Sequence, residues 1–281
     1  MASTSERLGG LLELTRPGNA VAASVLTFTG SFVAGGLLAR PLAVVAAVVA
    51  TAAATGAGNA INDYFDRDID RINRPDRPIP SGAVTPREAL WFSLLLFGVA
   101  VVAAVTLPLV AVAIAVVNLL GLVAYTELFK GLPGVGNVVV AYLTGSTFLF
   151  GGAAVGDVFG AAVLASLAAL ATFTREVVKD VEDVAGDREE GLRTLPIVVG
   201  ERPALATGVV AMVVAVGASV LPYLGAFGLP YLVVVLPADA MLLYAAWESF
   251  ENPASAQRRL KRGMFVAAAA FVVGRAAVVW L

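Results

Sequence analysis

Asn59-Ala60-Ile61-Asn62-Asp63-Tyr64-Phe65-Asp66-Arg67-Asp68-Ile69-Asp70 closes one long apolar run. Arg175-Glu176-Val177-Val178-Lys179-Asp180-Val181-Glu182-Asp183-Val184-Ala185-Gly186-Asp187 closes another. Both carry Asp-x-x-Asp-x-x-x-Asp, at Asp63, Asp66, Asp70 and at Asp180, Asp183, Asp187, with Asn59 and Glu176 each four residues ahead. Continued as helix, the three aspartates of a copy fall within roughly 60° of one another, so each copy makes one carboxylate stripe. Two unit charges about 6 Å apart at an effective dielectric of about 20 repel by about 3 kcal/mol, so stripes facing each other across a bundle need cations between them. The copies lie 117 positions apart, from Asp63 to Asp180. This suggests an internal duplication of three or four helices per unit; the competing reading is coincidence in two acidic loops.

The composition places these motifs in a bilayer. The 281 residues are 59% hydrophobic and 14% charged, with mean hydropathy +0.86. That is too much apolar surface and too little charge for an ordinary soluble domain. A hydrocarbon core of about 30 Å takes about 20 helical residues. Nine spans of that length are predicted, over residues 18–38, 42–64, 88–107, 109–127, 136–154, 158–179, 203–222, 228–247 and 262–281. Little chain is left for anything but one transmembrane domain over 1–281, with the loops at about 65–87 and 181–202 as a cap. Met1 to Pro17 has no apolar core, so no signal peptide is expected.

Connections alternate in character. Arg40-Pro41, Leu107-Pro108, Gly151 to Gly160 and Pro222 to Pro230 are nearly uncharged, whereas 65–87, 129–135, 181–202 and 249–261 are charged. Of the nineteen Lys and Arg, only Arg40 and Arg275 stand apart from the charged side. The positive-inside rule makes that side cytoplasmic, with the N-terminus inside, the C-terminus outside and both acidic motifs at the cytoplasmic surface of a multi-pass cell-membrane protein.

Cysteine and histidine are both absent, so any metal is held by oxygen ligands, and a hard cation such as Mg²⁺ is favoured. Mg²⁺ on carboxylates usually keeps waters and shares its remaining positions with substrate phosphates. Aspartate clusters flanked by Arg and Lys therefore point to a diphosphate ester. Its tail is suited to lipid, because a long isoprenoid gains about 0.8 kcal/mol per buried CH₂. Metal ions and basic side chains would stabilise the leaving pyrophosphate, while walls of Ala, Val, Leu and Phe keep water from the allylic cation.

Asn62-Asp63-x-x-Asp66-x-x-x-Asp70, Tyr125-Thr126-Glu127-Leu128-Phe129-Lys130 and Asp183-x-x-x-Asp187, in this order across the whole chain, resemble the UbiA superfamily of intramembrane prenyltransferases. The resemblance implies an all-α polytopic membrane fold of nine transmembrane helices around a central cavity, with a lateral opening for the prenyl tail. It implies that Asn62, Asp66, Asp183 and Asp187 hold Mg²⁺ and that Asp63, Asp70 and Asp180 are ligands or support the ions and their waters. Asp66, Asp70, Asp183, Asp187 and Lys130 are the expected catalytic set. Asn59, Arg67, Arg74, Tyr125, Lys130 and Lys179 are expected on the diphosphate. Many members carry Tyr-x-x-x-Lys, whereas here four residues separate Tyr125 from Lys130.

Arg74-Pro75-Asp76-Arg77-Pro78-Ile79-Pro80-Ser81-Gly82, Lys130-Gly131-Leu132-Pro133-Gly134-Val135-Gly136-Asn137 and Gly191-Leu192-Arg193-Thr194-Leu195-Pro196 look most like members that act on archaeal lipids. These join a geranylgeranyl group to the free hydroxyl of geranylgeranylglyceryl phosphate. Such an anionic lipid acceptor calls for further cations, for which Arg16, Asn19 and Arg77 are the candidates. The expected partners are thus a prenyl diphosphate, a lipid phosphate and membrane lipids, with no nucleic acid and no obligate protein. Two alternatives stand beside this: an aromatic or quinone-precursor acceptor, and a secondary transporter built from repeated halves. Asp239, inside a span and following Pro237, is a candidate functional residue or a partner for Arg275.

Overall fold

Proline opens helix after helix in this chain, and each long apolar run becomes one. The structure, a computed structural model, describes residues 3–129, 132–225 and 227–280, and among them there is no strand. The helices are α1 (Thr4–Leu14), α2 (Pro17–Val33), α3 (Gly36–Ala39), α4 (Pro41–Phe65), α5 (Arg67–Asn73), α6 (Pro86–Ala104), α7 (Leu109–Ala124) and α8 (Val135–Ala154). They continue as α9 (Val158–Glu182), α10 (Val184–Glu189), α11 (Leu195–Val199), α12 (Glu201–Ala218), α13 (Leu221–Gly225), α14 (Leu229–Glu248) and α15 (Pro253–Trp280). Pro17, Pro41, Pro86 and Pro253 sit at first helical positions, where the missing N–H costs nothing. Ser3 with Glu6 and Thr85 with Glu88 form capping boxes at α1 and α6.

The nine expected spans correspond to α2, α4, α6, α7, α8, α9, α12, α14 and α15. Seven of these regions are long and apolar enough to cross a membrane, while α7 is 16 residues and α2 is 17. Both short helices have extensions. A π-helical turn, Tyr125–Phe129, continues α7, and α2 stops at Gly35, whose φ of 82° breaks the helix before α3. The ninth helix begins at Pro253, well before the expected 262, so the charged stretch taken for a loop is largely its first turns. The expected pairing of Asp239 with Arg275 does not form. Asp239 accepts from Ser219 Oγ at 2.6 Å, and Tyr231 donates to the Ser219 carbonyl at 2.7 Å, while Arg275 lies against Gly35 at the α2–α3 break.

Helices adjacent in sequence pack together. α2 packs on α4, α4 on α6, α6 on α7, α7 on α8, α8 on α9, α9 on α12, α12 on α14 and α14 on α15, and α15 returns to α2 and α9. The circuit is cross-braced by α2 on α8. That brace is close because both helices present glycine. A Cβ on Gly30 would run into the Phe148 carbonyl, and one on Gly151 into the Thr27 carbonyl; Ser31 Oγ donates to the Gly151 carbonyl at 2.9 Å. With lipid as solvent, such backbone approach and van der Waals fit hold helices together in place of the hydrophobic effect. On one end of the bundle, Leu14 of α1 packs with Ala60, Ile79, Val84 and Ala89, all buried. This pins the segment between α5 and α6 beneath α1. Gly151→Val should force α2 and α8 apart. Overpacking costs about 1–3 kcal/mol, read as a lower midpoint in thermal unfolding of the detergent-solubilised protein; an unchanged midpoint would mean that the crossing is not tight.

Candidate active site

Two helices of equal length end on the acidic motifs. α4 and α9 are each 25 residues, and each stops at an aspartate that also opens the next short helix, Asp66 before α5 and Asp183 before α10. The backbone at the two positions matches, with φ −81° and ψ 0° at Asp66 and φ −91° and ψ 1° at Asp183. This is the sparsely populated bridge region, where active-site residues are often found. Amide bonds of one turn span both breaks, from Asp70 N to Asp66 O at 2.8 Å and from Asp187 N to Asp183 O at 2.9 Å. The expected uninterrupted carboxylate stripe is therefore corrected: in each copy the first aspartate lies in the last turn of the long helix, the second sits at the break and the last belongs to a separate short helix.

In the first copy the break sorts the carboxylates by environment. Asp63 and Asp70 are buried, at 5% and 6% exposure, whereas Asn62 and Asp66 are exposed. The buried pair is held by arginine. Arg16 Nη2 donates to Asp63 Oδ1 at 2.6 Å, and Arg77 Nη1 reaches both Asp63 Oδ1 at 3.1 Å and Asp70 Oδ2 at 2.5 Å. Asp63 and Asp70, expected as ligands or supports of the ions, are thus both paired with arginine. Arg16 and Arg77, expected on the acceptor, are engaged instead with these carboxylates, because a buried carboxylate without a counterion is far costlier than a guanidinium withdrawn from solvent. Arg16 has a left-handed backbone, φ 47°, the one non-glycine at positive φ among the described residues. Asn59, expected on the diphosphate, donates to the Thr15 carbonyl at 2.9 Å and so ties α4 to the same turn. Arg67 folds back onto Tyr64, donating to its carbonyl at 2.9 Å with its guanidinium 4.9 Å from the ring centroid. Asn19 and Arg74 are exposed and have no side-chain partner among the described residues.

The second copy is arranged alike with different chemistry. Asp180 accepts from Asn137 Nδ2 of α8 at 2.8 Å, and buried Glu176 pairs with Arg175 at 2.5 Å. Asp183 and Lys179 are exposed and Asp187 is partly so, without side-chain partners among the described residues. Tyr125, in the π-helical turn after α7, lies within the electrostatic reach of Glu176, Asp180 and Asp187, so this turn faces the second motif. π-helical turns recur at functional sites. Lys130 lies outside the described residues. Asn137 is a residue to which the sequence assigns no site role, although it falls within the expected span 136–154; the first turn of α8, which begins at Val135, carries it to Asp180.

Among the described residues no three acidic side chains converge closely enough to hold a metal by themselves. Mg²⁺ does not require that, since one or two carboxylates, waters and substrate phosphates complete its shell. The uncommitted oxygens of Asn62 and Asp66 on one side, and of Asp183 and Asp187 on the other, are hard donors of the right kind. The residues present fit the ion.

Two broken helices ending in oxygen donors, in an all-helical apolar bundle, make a site fitted to a hard cation at the end of a membrane-spanning bundle. Residues 23–269 match the UbiA prenyltransferase family, and the chain belongs to that family. It is a multi-pass membrane prenyltransferase, and the transporter reading falls away. A Natronomonas pharaonis protein named digeranylgeranylglyceryl phosphate synthase is 65% identical, with 98% of this chain and 99% of that protein covered. One of the same name from Haloquadratum walsbyi is 62% identical over 96% of each chain. A solved structure concerned with digeranylgeranylglyceryl phosphate synthase in membranes superposes with a TM-score of 0.85 at 36% identity, covering 96% of this chain and 99% of that one. The fold is shared also by a UbiA homologue from Archaeoglobus fulgidus solved with GPP and Mg²⁺, at a TM-score of 0.67, 18% identity and coverage of 96% and 99%.

Arg77→Met should cost about 3–5 kcal/mol, because it leaves buried Asp70 without its arginine and Asp63 with Arg16 alone. The double variant Arg77→Met/Asp70→Asn should recover part of the loss. Thermal unfolding of the three proteins checks this; a double variant no more stable than the single one would deny the pairing.

Proposed function

We propose that this protein transfers a geranylgeranyl group from geranylgeranyl diphosphate to the free hydroxyl of geranylgeranylglyceryl phosphate, releasing pyrophosphate and completing the second ether of an archaeal lipid. The observation that carries this reading is near-full-length identity of 65% and 62% to proteins named for that synthesis. The uncommitted donors at Asp66 and Asp183 support it. Mg²⁺ bound there supplies a charge that turns the acidic mouth into a diphosphate receptor and stabilises the leaving pyrophosphate.

The chain's own residues do the rest. Asn62, Asp66, Asp183 and Asp187 hold the ions. Asp63, Asp70 and Asp180 support that set, the first two through Arg77. Exposed Arg74 and Lys179, with Lys130 and Tyr125, bind diphosphate oxygens, and Asn19 with the outer face of Arg16 meets the acceptor phosphate. As the allylic C–O bond breaks, its electron pair leaves with pyrophosphate. The acceptor hydroxyl oxygen then forms the new C–O bond and gives up its proton to the released pyrophosphate or to water at the mouth of the site. The apolar helices exclude water, which would otherwise capture the cation. The motif-bearing side and the N-terminus are cytoplasmic and the C-terminus external, following the distribution of Lys and Arg.

Purified protein with Mg²⁺ should yield the diether by mass spectrometry, lose turnover with EDTA and regain it on adding Mg²⁺. Prenylation of 4-hydroxybenzoate or a naphthoate, with none of the glycerol lipid, would overturn the acceptor while leaving the family intact. Asp66→Ala and Asp183→Ala should each abolish turnover with little change in thermal stability, since neither side chain has a partner to lose among the described residues. Near-normal activity in either variant would refute the metal role.

A further inference from the structure

A groove of about 540 Å³ lies between the amphipathic α1 and the first two turns of α6, and no residue of either acidic motif lines it. Its inner surface is apolar, formed by Leu11, Val84 and Phe92, and its outer edge carries Arg7, Arg87, Glu88 and Trp91. The charges do not cancel. Glu88 is anchored as the cap of α6, accepting from Thr85 N at 2.8 Å and Thr85 Oγ1 at 2.7 Å, and it reaches Arg7 at only 3.6 Å. Arg87 is exposed and has no partner among the described residues. Two guanidinium groups against one committed carboxylate leave the groove with a net positive charge.

Its position selects the occupant. α6 is a membrane-spanning helix, so its first two turns stand at the boundary between headgroups and hydrocarbon. Trp91 is 62% exposed there, as expected of an interfacial aromatic, and Leu8 and Leu12 of α1 are 64% and 61% exposed beside it. A soluble anion would meet apolar surface on most sides of this groove. A lipid meets matching chemistry at both ends, with phosphate on arginine and chain on Phe92 and Trp91. We propose that the α1–α6 groove seats one bilayer phospholipid with an anionic phosphodiester headgroup. This lipid is distinct from the acceptor and fastens the interfacial α1 to the membrane surface.

The test is native mass spectrometry of the full-length protein with phosphatidylglycerol or phosphatidylcholine. The wild type should retain phosphatidylglycerol preferentially, and Arg7→Gln and Arg87→Gln should each weaken retention about fivefold. Lys261→Gln, a basic residue elsewhere on the surface, should leave it unchanged. Brominated phosphatidylglycerol should quench tryptophan fluorescence in the wild type and much less in Trp91→Phe, a readout that survives if an arginine variant folds poorly. Equal retention of the two lipids, an equal loss in Lys261→Gln, quenching unchanged by Trp91→Phe, or displacement by inorganic phosphate alone would each overturn the assignment.

Discussion

Carboxylates cannot be abandoned in hydrocarbon, and the arrangement of the charged end of this molecule follows from that. Asp63 and Asp70 are almost fully buried, and the answer to their burial is a chain of four charges in which Arg77 bridges both carboxylates and Arg16 donates to the same Oδ1 of Asp63. Those two arginines come from segments outside the spanning helices. Arg16 belongs to the turn between α1 and α2, and Arg77 to the segment between α5 and α6. The ion pairs therefore do the work of stitching, drawing two loops onto the end of α4. A left-handed backbone at Arg16 shows that the turn accepts local strain for the contact.

Apolar packing secures what the charges draw together. Leu14, Ile79 and Val84 form a small core with Ala60 and Ala89 directly beneath the same loops. Arg77 is thereby held from both sides, by its carboxylates and by the residues two and seven positions beyond it. Further into the bundle the logic changes. Glycine lets α2 and α8 approach to backbone contact, so the two halves carrying the two acidic motifs keep a fixed separation. A metal-bridged diphosphate receptor of the kind proposed requires that, because its donors come from both α4 and α9.

The paired breaks at Asp66 and Asp183 are the closest structural likeness between the halves. Helix length, dihedral angles and amide bonding across the break all match. The side chains around them diverge, with arginine neutralising the first copy and Asn137 holding the second through an uncharged bond. A common backbone thus carries two unequal electrostatic environments, one compensated and one retaining more of its negative charge.

Sequence by itself determined the membrane class, the all-helical fold, the approximate spans and the places where oxygen donors collect. Hydropathy and residue spacing are local properties, and helices in lipid must satisfy their backbones within one segment, so the pattern reads directly. The resemblance in its motifs also singled out Asn62, Asp66, Asp183 and Asp187 as the proposed donors, whose side chains have no partner among the described residues. What the sequence did not show was which carboxylates are paired with arginine. In the repeated motif Asp63 and Asp66 look equivalent, and Arg77 looks like any loop cation. Only the tertiary structure decided that the helix breaks at Asp66 and Asp183, that Arg16 and Arg77 turn inward and that Asn137 reaches Asp180. Those outcomes depend on contacts between residues up to 47 positions apart, and burial in three dimensions rather than spacing along the chain sets which charge needs a partner.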